Sequence, residues 1–186
     1  MSETATGAGV VDLTDGPKYV RLLPRHGIHL FWVAGDGPRF VEAFRRTWRQ
    51  VPLWARRVLL RHWRKVNAGL GDLAGHMHLP HIALVDFKSD FARGNSGNAV
   101  AQTNGTATGF AFLSSRADAM PLAALEALIA HELAHAVLFI IEPEEHKAGY
   151  RYDELGISWA EYDADELAAD WGFDIDAKNR ALSSAK

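Results

Sequence analysis

The sequence predicts an α+β fold in a single domain that spans residues 17–180. Three short apolar runs, rich in β-branched and aromatic residues, are bounded by turn-forming residues, as strands are. Four longer segments repeat apolar residues every three or four positions, which is the spacing of one helical face. With 186 residues, 48% hydrophobic and 23% charged, the chain can bury a core without crosslinks. Residues 1–16 and 181–186 lack periodicity and are predicted to be flexible tails.

The strands are predicted at residues 28–33, 81–87 and 106–114. The first ends just before a turn that contains Gly35 and Pro38, and the third alternates Phe110 and Phe112 with smaller residues. Between the second and the third, residues 93–105 are rich in Gly, Asn, Ser and Thr, which favours a loop or hairpin connection. These short segments predict a small mixed or antiparallel sheet.

The helices are predicted at residues 40–51, 52–66, 122–142 and 158–171, the first two as a helix-turn-helix pair or as one kinked helix. Pro52 suits the first position of the second helix, and Pro143 ends the third. The third helix is the best defined, because residues 122–142 contain neither Gly nor Pro. In the fourth, Ser158 suits the N-cap and Gly172 the position after the last turn.

Charge is distributed unevenly along the chain, whose net charge is -3. Residues 39–65 hold nine Arg or Lys and one acid, whereas residues 117–186 hold five Arg or Lys and fifteen acids. Clustered cations bind phosphates, so a nucleic-acid surface is one interpretation of the basic helices. We favour another, in which the tryptophans lie in the core and the basic side chains face solvent or pair with the acidic half. The residues concerned are Trp48, Trp54 and Trp63, with Arg45, Arg46, Arg49, Arg56, Arg57, Arg61, Arg64 and Lys65.

The absence of cysteine restricts both the compartment and the metal chemistry. No disulfide or thiolate site can form, so any metal must be held by imidazole and carboxylate groups. Residues 1–9 lack the basic and apolar regions of a signal peptide, and no stretch has the ~18 consecutive apolar residues of a membrane span. We therefore expect a cytoplasmic protein without membrane contact. An oligomeric state is not predicted.

A metal-binding motif, His131-Glu132-Leu133-Ala134-His135, lies inside the predicted helix 122–142. Residues four apart share one helical face, so His131 and His135 bring two imidazole nitrogens to one point. Glu132 follows His131 directly, so it lies farther round the helix than the two histidines. This position suits a base that faces a metal-bound water rather than a metal ligand. The motif predicts a bound zinc ion. A second group of histidines has no supporting carboxylate or cysteine and is not expected to bind metal; it comprises His76, His78 and His81.

A third zinc ligand is expected from a later helix, since two histidines leave the site incomplete. The predicted helix 158–171 offers two candidates in tandem: Glu161, followed by Ala164-Asp165, and Glu166, followed by Ala169-Asp170. Together with the helical motif, this segment resembles the gluzincin metallopeptidases, in particular small bacterial and phage members. The resemblance covers residues 121–173.

The resemblance implies a zincin-like fold, in which the glutamate of Glu-x-x-Ala-Asp is the third ligand and the aspartate orients a ligand histidine. We prefer Glu161 as the ligand, because the residues after it continue as in those relatives and because Asp165 lies on the same face. Glu166 remains the alternative. A site with three histidines is not expected, because His146 lacks the glycine of the His-x-x-Gly-x-x-His continuation.

The implied activity is zinc-dependent hydrolysis of a peptide or protein substrate, with Glu132 as general base and then general acid. A donor to the oxyanion is expected after the motif helix, from Tyr150, Tyr152 or His146. By analogy with related enzymes, an extended peptide would pair with an edge strand, here residues 109–114. The alternatives are a zinc-binding regulatory or partner-binding module with little hydrolysis, and, less favoured, a nucleic-acid-associated protein.

Overall fold

A mixed sheet flanked by helices forms the part of the chain that the structure describes, confirming the α+β class. This structure is a computed structural model. It describes residues 18–32, 35–70, 79–85, 101–103, 106–149 and 158–184. The predicted tail 1–16 lies outside these ranges.

The sheet has five strands in the order β1-β2-β3-β5-β4. The two central pairings, β2 with β3 and β3 with β5, are parallel, and the two outer pairings are antiparallel. Val20, Leu22, Ile28, Leu30 and Ile82 are buried, so β1, β2 and β3 alternate core and surface positions. The strands are β1 (Lys18–Leu23), β2 (Ile28–Trp32), β3 (His81–Val85), β4 (Ala101–Thr103) and β5 (Gly109–Leu113).

Besides the strands, the described residues form seven α-helices and a 3-10 turn at Pro24–His26. All four predicted helices are present, with bounds shifted by at most three residues. The helices are α1 (Gly37–Gln50), α2 (Leu53–Gly69), α3 (Ser114–Ala119), α4 (Leu122–Ile141), α5 (Pro143–Gly149), α6 (Trp159–Asp170) and α7 (Ile175–Ser183).

Helix α4 is the centre of the fold, packing against α1, α2, α5, α6, α7 and β4. Its residues are buried almost all round between Ala124 and Val137, so it has no polar face. It is the one helix among the described residues that is long and apolar enough to cross a membrane. In the most apolar 18-residue stretch of this helix, 72% is buried inside the protein. The core helices of soluble proteins can be equally long and apolar.

Several elements were not predicted: β1, β4, α3, α5 and α7. Strand β4 is only three residues long, and it falls inside the segment 93–105 that was interpreted as a loop or hairpin connection. Helix α7 begins at the N-cap Asp174, whose side chain accepts a hydrogen bond from the Ala177 amide. It continues to Ser183, so it includes the first residues of the predicted tail 181–186.

The prediction that residues 109–114 form the edge of the sheet is wrong. Strand β5 lies between β3 and β4, and the edge on this side is β4, paired through Thr103 with Phe110 and through Ala101 with Phe112. The prediction failed because β4 was not recognised as a strand. A segment of three residues is too short to show a strand pattern in the sequence, and its pairing with β5 is a tertiary contact.

The basic helices α1 and α2 place two of their three tryptophans in the core. Trp48 and Trp63 are buried and stack with ring centroids 5.9 Å apart, as predicted. Trp54 was expected in the core too, but it is 48% exposed and meets Trp171 in a T-shaped contact. The Arg46 guanidinium lies 2.7 Å from the Glu126 carboxylate, a pair between the basic and acidic parts of the chain.

Candidate metal centre

The two histidines of the motif lie in the middle of α4, one turn apart and facing the same point. His131 is 5% exposed and His135 2%. Their Nε2 atoms are 3.0 Å apart. The local sequence sets this arrangement, because uninterrupted helix formers from residue 122 onward keep the spacing of four residues in register.

The third member of the group is Glu161, in the first turn of α6. Its Oε2 atom lies 3.1 Å from His131 Nε2, and its Oε1 atom lies 3.5 Å from His135 Nε2. The ligand atoms of His131, His135 and Glu161 all lie within 4.8 Å of one another, so the group can hold a metal ion. The side chain of Glu161 is 52% exposed, which leaves the group open to solvent on this side.

Glu166, the alternative third ligand, is exposed and does not join this group among the described residues. The face of α6 that is fully buried consists of Ala160, Ala164 and Ala168. At about 100° per residue, Glu161 lies beside this face, whereas Glu166 is about 200° from Ala164 and points away from the core. The alanine spacing was visible in the sequence and distinguishes the two glutamates.

The spacing of the three donors suits one small ion. Tetrahedral ligands at about 2.0 Å from a metal are about 3.3 Å from one another. The two imidazole nitrogens are 3.0 Å apart, and each lies near a different oxygen of Glu161, His131 Nε2 at 3.1 Å from Oε2 and His135 Nε2 at 3.5 Å from Oε1, so these separations are close to that value with the carboxylate spanning both rings. Two imidazole nitrogens and one carboxylate oxygen form a donor set for a divalent transition metal.

Behind His131 lies an ion pair between a buried lysine and a half-buried aspartate. Asp165 Oδ1 accepts a hydrogen bond from His131 Nδ1 at 2.7 Å, as the resemblance implied for this aspartate. The Lys178 ammonium on α7 also donates to Asp165 Oδ1, and its Nζ lies 3.2 Å from His131 Nδ1. Lys178 is 4% exposed. Sequence analysis missed it, because a single lysine in an unpredicted helix carries no local signal of burial.

In the metal-free protein, hydrogen bonds between the histidines, the carboxylates and Lys178 shift the pKa values of His131, Glu161 and Asp165. Burial disfavours charge on His131, but hydrogen bonds to Asp165 and Glu161 outweigh it and raise its pKa to about 9. Burial also opposes ionisation of Glu161, yet hydrogen bonds from His131 and His135 hold its pKa well below the usual range. The pKa of Asp165 is lowered in the same way, against burial, by His131 and Lys178.

His146 lies behind the other histidine. It belongs to α5, is 3% exposed, and places its Nε2 atom 3.0 Å from His135 Nδ1. Burial, followed by the nearby His135, lowers the pKa of His146 to about 4, so its ring is neutral at pH 7. The other two candidates for an oxyanion donor, Tyr150 and Tyr152, lie outside the described residues.

Glu132 is buried between α4 and the edge of the sheet, 4% exposed. The Thr103 hydroxyl on β4 lies 2.6 Å from Glu132 Oε2 and 3.0 Å from the main-chain oxygen of the same residue. Neither β4 nor Thr103 was singled out from the sequence. Of the second histidine group, His81 is exposed on β3 and is not part of a metal-binding group among the described residues, and His76 and His78 lie outside them.

No protein-family model matches the chain, and searches of curated proteins and of solved structures found no significant similarity.

Proposed function

We propose that the chain is a zinc-dependent peptidase of the gluzincin type. The observation that carries the proposal is the convergence of His131, His135 and Glu161 on one point, with Glu132 next to His131 in the same buried stretch of α4. The motif on α4 and the Glu-x-x-Ala-Asp segment on α6 are the two features that resemble gluzincins, and here they pack against each other. The zincin-like fold is part of the same proposal.

Zinc is the metal that suits these donors best. Catalytic zinc sites use three protein ligands of nitrogen and oxygen and keep a fourth position open for water or substrate. Two buried histidines and a half-exposed glutamate supply such a set, and the exposed side of Glu161 gives access. Asp165 fixes the ring of His131, since a ligand histidine usually donates its second N–H to a carboxylate or carbonyl.

A zinc ion held there would acidify a water molecule and polarise the carbonyl that is to be cleaved. Glu132 would accept a proton from the attacking water as the C–O bond forms. The same carboxyl would then deliver that proton to the amide nitrogen as the C–N bond breaks, so that the amine leaves neutral. The hydroxyl of Thr103 donates to one oxygen of Glu132 and leaves the other for the water.

The substrate would be an extended peptide that pairs with β4. In the part of the chain that is described, the outer edge of β4 has no partner strand, and Thr103 ties this strand to Glu132. Backbone pairing with an edge strand is a common way to bind a peptide without strong dependence on its sequence.

The test is hydrolysis of a mixed peptide library, read by mass spectrometry. Wild type is expected to cleave a subset of peptides, and Glu132→Gln to lose about 10²- to 10⁴-fold in rate while still binding zinc. Glu142→Gln, an exposed residue at the end of the same helix, is the matched control and should cleave at the wild-type rate. Zinc binding without turnover of any peptide would favour the regulatory module instead.

A further inference from the structure

The two ring nitrogens of His135 have separate partners. Nε2 faces the metal group, 3.0 Å from His131 Nε2 and 3.5 Å from Glu161 Oε1. Nδ1 faces the opposite way and lies 3.0 Å from His146 Nε2. A ring nitrogen that binds a metal carries no proton, so the proton of a neutral His135 must then be on Nδ1. That N–H has His146 Nε2 as its acceptor.

We propose that His146 is a positioning residue for the metal site: its Nε2 accepts the Nδ1–H hydrogen bond of His135 and keeps His135 Nε2 directed at the metal. The proposal rests on the metal site of the proposed function. It assigns His146 a place behind the ligand, in contrast to the oxyanion donor that the sequence suggested.

The two ligand histidines would thus be held by different chemistry. His131 donates to the carboxylate of Asp165, whereas His135 donates to a neutral imidazole. The region already holds the carboxylates of Glu132, Glu161 and Asp165. An imidazole acceptor fixes the ring of His135 without adding another negative charge. A fourth carboxylate here would need another buried cation to balance it, as Lys178 balances Asp165.

The ring of His146 is itself fixed. It meets Phe139 of α4 edge to face, with centroids 4.6 Å apart and planes at 86°. Its main-chain N–H donates to Glu142 at 2.9 Å, which ties the start of α5 to the end of α4. Because Phe139 lies one turn after His135 on the same helix, α4 supports both the ligand and the ring behind it.

The direct test is nuclear magnetic resonance of ¹⁵N-labelled wild type loaded with zinc. The imidazole nitrogens are expected to show the His135 proton on Nδ1, zinc on Nε2, and a scalar coupling through the hydrogen bond between His135 Nδ1 and His146 Nε2. A proton on Nε2 of His146, or zinc on His135 Nδ1, would overturn the assignment. This readout reports the hydrogen bond itself and does not depend on peptidase activity.

The second test is zinc affinity, measured by competition with a chelator. His146→Leu is expected to weaken zinc binding about 10- to 100-fold, as loss of a ligand's outer partner does. His146→Gln keeps an acceptor near the position of Nε2 and should recover most of that loss. Phe139→Leu loosens the ring of His146 but leaves its acceptor, so it should weaken zinc binding less than His146→Leu does.

The outcomes separate this proposal from the proposed function. Equal zinc affinity for His146→Leu and wild type would overturn the role of His146 while leaving the metal site intact. An equal loss in Phe139→Leu and His146→Leu would also overturn it, because packing alone would explain the effect. A wild type that binds no zinc would contradict the metal site itself, and zinc binding without hydrolysis would contradict only the peptidase.

Discussion

The hydroxyl of Thr103 lies 2.6 Å from Oε2 of Glu132, joining the edge strand β4 to the helix that carries the metal group. Both residues are buried, so the hydrogen bond is shielded from water. In the proposed peptidase, the strand that would bind the substrate therefore also holds the general base. In that enzyme, the positions of the substrate and of the base would be coupled through one side chain.

Thr103→Val should lower the turnover rate without removing zinc. The substitution keeps the shape but deletes a hydrogen bond to a carboxylate, which contributes about 1.5–3 kcal/mol and corresponds to about 10- to 100-fold in rate. Thr103→Ser keeps the hydroxyl and should retain most of the activity. The measurement is kcat on a peptide that wild type cleaves, with zinc content determined in parallel. Wild-type turnover in Thr103→Val would contradict the coupling.

Lys178→Met should destabilise the metal-free protein by about 1.5–3 kcal/mol, because it removes one of the two charged partners of the half-buried Asp165 carboxylate and leaves only His131. Lys147→Met is the matched control: Lys147 is exposed and pairs with Glu144 at 3.4 Å on the surface, so its loss should cost less than about 1 kcal/mol. Chemical denaturation of both variants gives the free energy of unfolding. Similar values for the two would show that the Asp165–Lys178 pair adds no more than a surface pair.

The stability of zinc-free protein should fall between pH 7 and pH 9. The folded pKa of His131, about 9, lies above its ordinary value of 6.5, so the folded state holds a proton that the unfolded state releases. The resulting stabilisation is complete below pH 6.5 and is lost as the pH rises through about 9. Zinc replaces this proton, so the loaded protein should not show the decline. Tm measured across this range, with and without zinc, tests the prediction. A constant or rising Tm without zinc would contradict it.

The opposite trend is expected at lower pH. The folded pKa of His146, about 4, lies below its ordinary value, so the unfolded state binds a proton that the folded state does not. The contribution of neutral His146 to stability is present above pH 6.5 and is lost as the pH falls toward 4. His146→Gln should flatten this part of the Tm profile, in which the carboxylates Glu161 and Asp165 still contribute below about pH 4.5. An unchanged profile would show that His146 does not titrate in this way.

The sequence predicted those parts of the fold that depend on local pattern. Helix α4 follows from twenty residues without Gly or Pro, and the spacing of His131 and His135 needs only that helix. The choice of Glu161 came from a resemblance to a known family, and the alanine face of α6 now gives it a physical reason. The histidine spacing on α4 and the alanine spacing on α6 are both patterns that span only one or two helical turns.

The remaining parts depend on contacts between distant segments. Thr103 lies on a three-residue strand that exists through its pairing with β5 and its packing on α4. Lys178 reaches His131 across 47 residues, and His146 meets His135 only because α5 turns back along α4. Nothing in the composition of these segments distinguishes them from surface helices and loops, so sequence patterns alone could not assign them.

Zinc stoichiometry is the most direct test of the metal site. The purified chain, stripped with a chelator and titrated with zinc, should bind one ion per molecule. Glu161→Ala should bind at least about 100-fold more weakly, because it removes one of three ligands, whereas Glu166→Ala, which alters an exposed residue on the same helix, should bind as wild type does. No zinc uptake by wild type, or a loss in Glu166→Ala in place of Glu161→Ala, would contradict the site described above.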